Sequence, residues 1–302
     1  MGAADVVPGV SGGTIAFITG IYNTLISALS NLNLQALKLL QKRQWKAFWT
    51  HIHGTFLLVL FAGIATSIVS FAKLFSYLIQ NHPVPLWAFF FGLILAGAIY
   101  MLRKITAYTP VVVLSFLLGT LSSFYITLAA PSSGPDSLPY LFLSGLIAIC
   151  AMVLPGISGS FILLIMGSYA TVLAALNNLE ILRIGVFLSG AVIGILSFAR
   201  LVQFLLKSYH NVVIALLTGF MTGSLNKVWP WKRHIENRLN SKGEWVAFID
   251  KNVLPGDYSV VSEADKALGF TQKDPQWVAA ILLFLLAMSM VFFLSVRDKN
   301  NA

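Results

Sequence analysis

Pro8-Gly9-Val10-Ser11-Gly12-Gly13-Thr14 and Pro155-Gly156-Ile157-Ser158-Gly159-Ser160 are the segments of this sequence best suited to hold an anion. Both interrupt long apolar stretches. Proline removes a backbone donor and glycine weakens a helix, so each segment should break the helical run that contains it. A helix that restarts after such a break points free N–H groups and the positive end of its dipole at the gap. Ser11, Thr14, Ser158 and Ser160 can add hydroxyl donors. Small side chains at Gly12, Gly13 and Gly159 would let a ligand approach the backbone. The same small residues would also serve as a close-packing surface between helices. The presence of two copies in one chain favours the site.

Two cations and one carboxylate join this set. Lys73 and Arg200 lie inside apolar runs, in Ser-Phe-Ala-Lys and Ser-Phe-Ala-Arg. Charges at membrane depth mark ligand pathways, although long side chains near a helix end can also snorkel to the interface. Asp5 precedes the first motif, and Met152 takes its place before the second. It reads as a candidate for handling a coupling proton or sodium ion, or alternatively as a helix-start charge. The five histidines are scattered and Cys150 is the one cysteine, so no metal or cofactor is expected.

The elements that position these residues are apolar helices. Hydrophobic residues make up 57% of the 302 residues and charged ones 10%, with a mean hydropathy of +0.81. A soluble domain carries about 25% charged residues. Apolar runs that read as membrane spans cover Thr55–Leu78, Leu86–Leu102, Pro110–Ala129, Ile184–Leu206, Val212–Leu225 and Trp277–Val296. The interrupted stretches are Val6–Leu29 and Leu138–Leu176. The net charge of +9 has no dense basic stripe outside the apolar runs, so nucleic acid is not an expected partner. Leu34–His53 is basic and amphipathic. Lys227–Gln276 is a polar insertion, expected to have little structure of its own. Trp229, Trp231 and Trp277 flank spans and suit an interfacial belt.

The halves repeat. At an offset of 155 − 8 = 147, Pro8, Gly9, Ser11, Gly12, Gly20, Tyr22 and Thr24 meet Pro155, Gly156, Ser158, Gly159, Gly167, Tyr169 and Thr171. At a second offset, 190 − 63 = 127, Gly63, Ser70, Phe71, Ala72 and Lys73 meet Gly190, Ser197, Phe198, Ala199 and Arg200. The difference of 20 residues matches the basic segment found only in the first half. Internal repeats of this kind mark transporter folds. The second motif has an apolar lead-in, Leu138–Val153. The first motif starts almost at Met1, so its copy is expected to lack the matching half-helix.

Cytoplasmic loops are enriched in Lys and Arg. With residues 34–53 inside and each motif segment a hairpin that returns to its own side, every short basic cluster falls inside. Lys227–Gln276 then lies outside, and the halves are inverted. The expected fold is therefore an all-α polytopic membrane protein with two inverted repeats, 1–136 and 137–302. Each repeat holds a Pro-Gly-interrupted re-entrant hairpin and about three transmembrane helices.

Ala-Asp-Val-Val-Pro-Gly-Val-Ser-Gly-Gly-Thr and Met-Val-Leu-Pro-Gly-Ile-Ser-Gly-Ser resemble the paired motifs of the bacterial undecaprenyl phosphate translocase family, over nearly the whole chain in length, order and repeat. The resemblance implies a multi-pass carrier in the bacterial cytoplasmic membrane. Such a carrier returns the lipid phosphate of cell-envelope synthesis to the cytoplasmic leaflet. It maps the motif positions onto Pro8, Gly9, Ser11, Gly12, Gly13, Pro155, Gly156, Ser158, Gly159 and Ser160. The residues alone leave a carrier or channel for a small soluble anion open. A lipid-phosphate phosphatase would need a nucleophile with an acid–base partner, and neither motif contains a histidine, so the chain does not read as an enzyme.

Overall fold

The computed structural model describes residues 1–7, 10–129, 134–239, 245–271 and 273–300. In chain order its elements begin with α1 (Gly2–Asp5), α2 (Gly12–Ile18), α3 (Tyr22–Ser30), α4 (Leu34–Gln41) and α5 (Trp45–His51). Next come α6 (Gly54–Asn81), α7 (Pro83–Arg103), α8 (Pro110–Leu128) and α9 (Leu138–Val153). They are followed by α10 (Gly159–Ile165), α11 (Tyr169–Asn177), α12 (Ile181–Ser208) and α13 (His210–Ser224). The chain ends with β1 (Lys232–Leu239), β2 (Trp245–Asn252), α14 (Glu263–Ala267) and α15 (Trp277–Asn300).

Among the described residues, α6, α7, α8 and α12 are long and apolar enough to cross a membrane. The pairs α2–α3 and α10–α11 pass the same test together but are bent by 117° and 108°. Both bends turn on glycine in the left-handed region, Gly20 at φ 76° and Gly167 at φ 72°. A side chain there would strain the backbone, which explains a glycine at equivalent points of the two copies. Large apolar side chains face outward along the long helices, among them Val69, Leu114, Leu118, Ile181 and Val192. An apolar exterior on this scale suits hydrocarbon, not water. The fold is that of a polytopic helical membrane protein. Helix α13 is shorter than a full crossing: its 15 residues span about 22 Å, against a hydrocarbon core of about 30 Å.

The repeat extends to the element boundaries. Shifting α2 and α3 by 147 gives the limits of α10 and α11, and shifting α6 by 127 gives those of α12. Helices α7 and α13 start at Pro83 and His210, also 127 apart.

Packing divides the chain into two units. One comprises Met1–Phe75 with Gly97–Ser224; the other comprises Ser76–Ala96 with the chain from Leu225 onward. In the first unit α8 lies against α13 and α9 against α12. Glycines permit both approaches. A Cβ on Gly219 would fall 2.3 Å from the Phe116 carbonyl oxygen, and one on Gly190 would fall 2.1 Å from that of Phe142. Backbones meet at such points, as small residues allow in membrane helix pairs. Helix α12 also packs on α3, where Ser30 Oγ donates to Gln203 Oε1 at 2.7 Å.

The second unit corrects two expectations. The fold is not all-α, and the insertion has definite structure. Strands β1 and β2 pair antiparallel from Lys232↔Asn252 to Leu239↔Trp245, with irregular register around Glu236. Asp265 and Lys273 form a buried ion pair. Ser262 and Asp265 form a capping box at the start of α14. Trp229 and Trp231 donate their indole N–H groups to the carbonyls of Val253 and Pro275, each at 2.9 Å. Val84, Ala88, Tyr258 and Ala280 form a small core beneath.

Candidate functional site

Ser11 adopts extended backbone (φ −111°, ψ 133°) and caps α2, accepting the Gly13 N–H at 3.1 Å. Asp5 Oδ1 accepts the Gly12 N–H at 2.7 Å. The start of α2 thus already carries a carboxylate of the chain itself, placed where the helix dipole favours negative charge. The glycines explain how the groups fit. A Cβ on Gly12 would fall 2.3 Å from Asp5 Oδ2, and one on Gly13 would fall 2.7 Å from the Val153 carbonyl oxygen. In this conformation that space holds protein atoms.

The two motifs touch. The Gly156 N–H donates to Thr14 Oγ1 at 2.8 Å. The Ser11 hydroxyl faces the carbonyl oxygens of Leu154 and Met152, at 3.3 and 3.4 Å. Gly156 needs glycine twice over: its φ is +84°, and a Cβ would fall 2.5 Å from the Phe220 carbonyl oxygen. Thr14, expected as a hydroxyl donor, is fully buried and accepts from the opposite motif.

The second motif is arranged differently. Ser158 is extended (φ −96°, ψ 126°) at the start of α10 but makes no capping bond with its side chain. Its hydroxyl pairs with that of Ser160 at 3.0 Å, and Ser160 is exposed. Met152, in the place of Asp5, is also exposed. The turn beyond α10 is pinned to α9 by Tyr140 Oη donating to the Met166 carbonyl oxygen and by the buried Ser144–Ser168 hydroxyl pair, both at 2.7 Å. One helix start is closed by a carboxylate and a serine; the other has two serine hydroxyls beside it and no side-chain cap. Pro155 is buried, and Pro8 and Gly9 lie outside the described residues.

Lys73 and Arg200 are both exposed on their helices, α6 and α12. Arg200 Nη2 donates to the Leu32 carbonyl oxygen at 3.1 Å, just past the C-terminal end of α3. A cation suits that end of a helix. Neither cation makes a hydrogen bond to a motif residue among the described residues. The structure therefore joins Asp5, Ser11, Gly12, Gly13, Thr14, Gly156, Ser158, Gly159 and Ser160 in one locality, and puts Arg200 at the far end of the first bent pair.

Sequence reasoning missed Tyr22. Its side chain is almost fully buried, and its hydroxyl lacks a hydrogen-bond partner among the described residues, as does Asp5 Oδ2. Buried unpaired polar atoms are uncommon and suit a water or ligand group. The match of Tyr22 to Tyr169 in the repeat was the available signal. Among the described residues no cluster of side chains could hold a metal ion.

Paired broken helices within an apolar helical fold define a membrane protein of the transporter class. The chain belongs to the undecaprenyl phosphate translocase-like family, which it matches over residues 1–246. It is 44% identical to a polyprenyl-phosphate transporter of Vibrio cholerae serotype O1 over 291 residues, covering 96% of this chain and 92% of that protein. It is 33% identical to a polyprenyl-phosphate transporter of Staphylococcus aureus over 248 residues, covering 76% and 83%. No solved structure matches it.

Proposed function

We propose that this chain carries undecaprenyl phosphate, or a closely related polyprenyl phosphate, across the bacterial cytoplasmic membrane so that the lipid carrier of cell-envelope synthesis is reused. The 44% identity to a polyprenyl-phosphate transporter across nearly the whole chain carries this reading. The geometry supports it. A phosphate monoester bears a charge of about −1.5 to −2 near neutral pH. The start of α10, with Ser158 and Ser160 beside it, offers donors to such a head group, while Asp5 keeps the start of α2 closed. The outward-facing apolar surface lets a polyprenyl tail stay in hydrocarbon.

In this reading the halves are inverted and the bent pairs are re-entrant hairpins; the matching element boundaries support the repeat, and the Lys/Arg pattern of the short loops supports its inversion. Substrate exchanges between the motifs as access alternates. Lys73 and Arg200 attract the phosphate from opposite sides, and Asp5 handles a coupling proton or sodium ion. The chain acts as a carrier and performs no covalent chemistry. A binding competition tests the head-group assignment. Purified protein should release a fluorescent polyprenyl phosphate to unlabelled polyprenyl phosphate and retain it against inorganic phosphate. Equal displacement by inorganic phosphate would instead indicate a carrier of a small soluble anion.

A further inference from the structure

We propose that the Leu34–His53 hairpin is a membrane-surface element that binds anionic phospholipid head groups of the surrounding bilayer. The repeat gives the first reason. In the second half α11 is followed by α12 after three residues, whereas the first half interposes α4 and α5. The fold does not need this hairpin to connect its helices.

The hairpin is nonetheless held in place. Asn31 Nδ2 donates to the His51 carbonyl oxygen at 2.8 Å, and Trp49 Nε1 donates to Thr55 Oγ1 at 3.0 Å. Asn33 caps α4, and Ala36 and Ile52 are buried. What it presents outward is both apolar and basic. Leu34 is 75% exposed and Trp45 63%, with Leu37 and Trp49 also exposed. Lys38, Lys42, Arg43 and Lys46 are exposed among them. No acidic residue occurs between Val6 and Pro135, so no nearby carboxylate in the sequence offsets these charges. An open groove of about 660 Å3 between the helices is lined by Gln35, Leu39, Lys46, Ala47, Thr50 and His51.

Exposed tryptophan and leucine beside lysine and arginine that have no acidic neighbour in the sequence fit one occupant: the boundary of an anionic leaflet. The rings and aliphatic chains enter the head-group layer and the cations meet phosphates. Each basic side chain near such a surface contributes roughly fivefold in affinity. The proposal needs only that the chain sits in a bilayer and does not depend on the transported substrate.

The test uses the full chain carrying Cys150→Ala and Gln41→Cys, labelled with an environment-sensitive dye. It is reconstituted in vesicles of phosphatidylcholine alone, or of phosphatidylcholine with phosphatidylglycerol. The dye should shift to the blue and gain protection from acrylamide in the anionic vesicles, and the effect should fall at high salt. The variant Lys38→Gln/Lys42→Gln/Arg43→Asn/Lys46→Gln should lose at least tenfold in the phosphatidylglycerol fraction needed. Identical spectra in both vesicles would overturn the proposal. A response to trace polyprenyl phosphate in phosphatidylcholine without one to phosphatidylglycerol would also overturn it, by marking the hairpin as a substrate-capture element.

Discussion

The carboxylate of Asp5 accepts the backbone N–H of Gly12 at 2.7 Å, so the positive end of α2 holds an anion belonging to the chain itself. The repeat-equivalent pair, Met152 and Gly159, cannot make such a bond. The two motifs share a sequence pattern and differ in charge at this one point. That difference separates a helix start that holds a carboxylate from one with no side-chain cap.

The Asp5–Gly12 contact can be measured by a double-mutant cycle. Asp5→Ala removes a helix-start cap, and loss of such a cap costs about 1 kcal/mol. Gly12→Ala places a methyl group 2.3 Å from Asp5 Oδ2 and must displace the carboxylate. Thermal unfolding in detergent should show each single variant destabilised and the double variant less so than the two effects combined. Additivity within about 0.5 kcal/mol would mean that the two residues do not interact.

Gly63 and Gly190 occupy equivalent places in the repeat and should respond in opposite ways. A Cβ on Gly63 meets nothing within 4 Å, whereas one on Gly190 falls 2.1 Å from the Phe142 carbonyl oxygen. Gly63→Ala should be neutral or stabilising by up to about 1 kcal/mol through helix propensity. Gly190→Ala should lower the yield of folded protein by prising α12 from α9. Size-exclusion profiles of the two variants would show the contrast. Equal behaviour would contradict the packing described.

Lys73→Ala and Arg200→Ala should both slow transport, with Lys73→Arg tolerated and Arg200→Lys intermediate, because a lysine cannot reproduce a bidentate phosphate contact. Only Arg200→Ala should also reduce stability, because only Arg200 holds the Leu32 carbonyl beyond α3. Wild-type rates in both alanine variants and their double, at equal protein levels, would show that these cations merely snorkel.

The insertion should loosen in acid. Burial pushes the Asp265 carboxyl upward, but the Lys273 ammonium and the bonds from Ser262 outweigh it and hold it below the usual carboxylate range. A depressed folded value stabilises above the unfolded value of about 3.9 and is lost as pH falls through the folded one. Lys273→Met would leave the buried Asp265 without its ammonium partner, with only Ser262 and His234 beside it, at a cost of up to about 3–5 kcal/mol. Limited proteolysis between Lys227 and Gln276 should become rapid in this variant at neutral pH. Unchanged resistance would contradict a supporting role for the pair.

Period and composition made the long helices legible. Thr55–Leu78 and Ile184–Leu206 fall inside α6 and α12, and the offsets that aligned Lys73 with Arg200 reappear as element boundaries. Apolar length and a matching pair of glycine breaks sufficed. The links inside the site were not legible. Asp5 meets Gly12 across 7 residues, and Thr14 meets Gly156 across 142 residues. No local spacing rule encodes either contact. The motif glycines pointed to ligand access, yet Gly12, Gly13 and Gly159 each lie against protein atoms. Bulky replacements there would test packing, so the serines beside α10 are the better probes. The hairpin in Lys227–Gln276 escaped notice because its strands carry charges of both signs without clear alternation.

The most direct measurement is translocation in sealed vesicles that carry undecaprenyl phosphate in both leaflets. A phosphatase added outside hydrolyses only the lipid that it can reach. With the wild-type chain present the whole pool should be hydrolysed, and the Ser158→Ala/Ser160→Ala variant, inserted at the same level, should leave the inner-leaflet pool largely protected. Protection of that pool in wild-type vesicles would contradict the transport of polyprenyl phosphate by this chain.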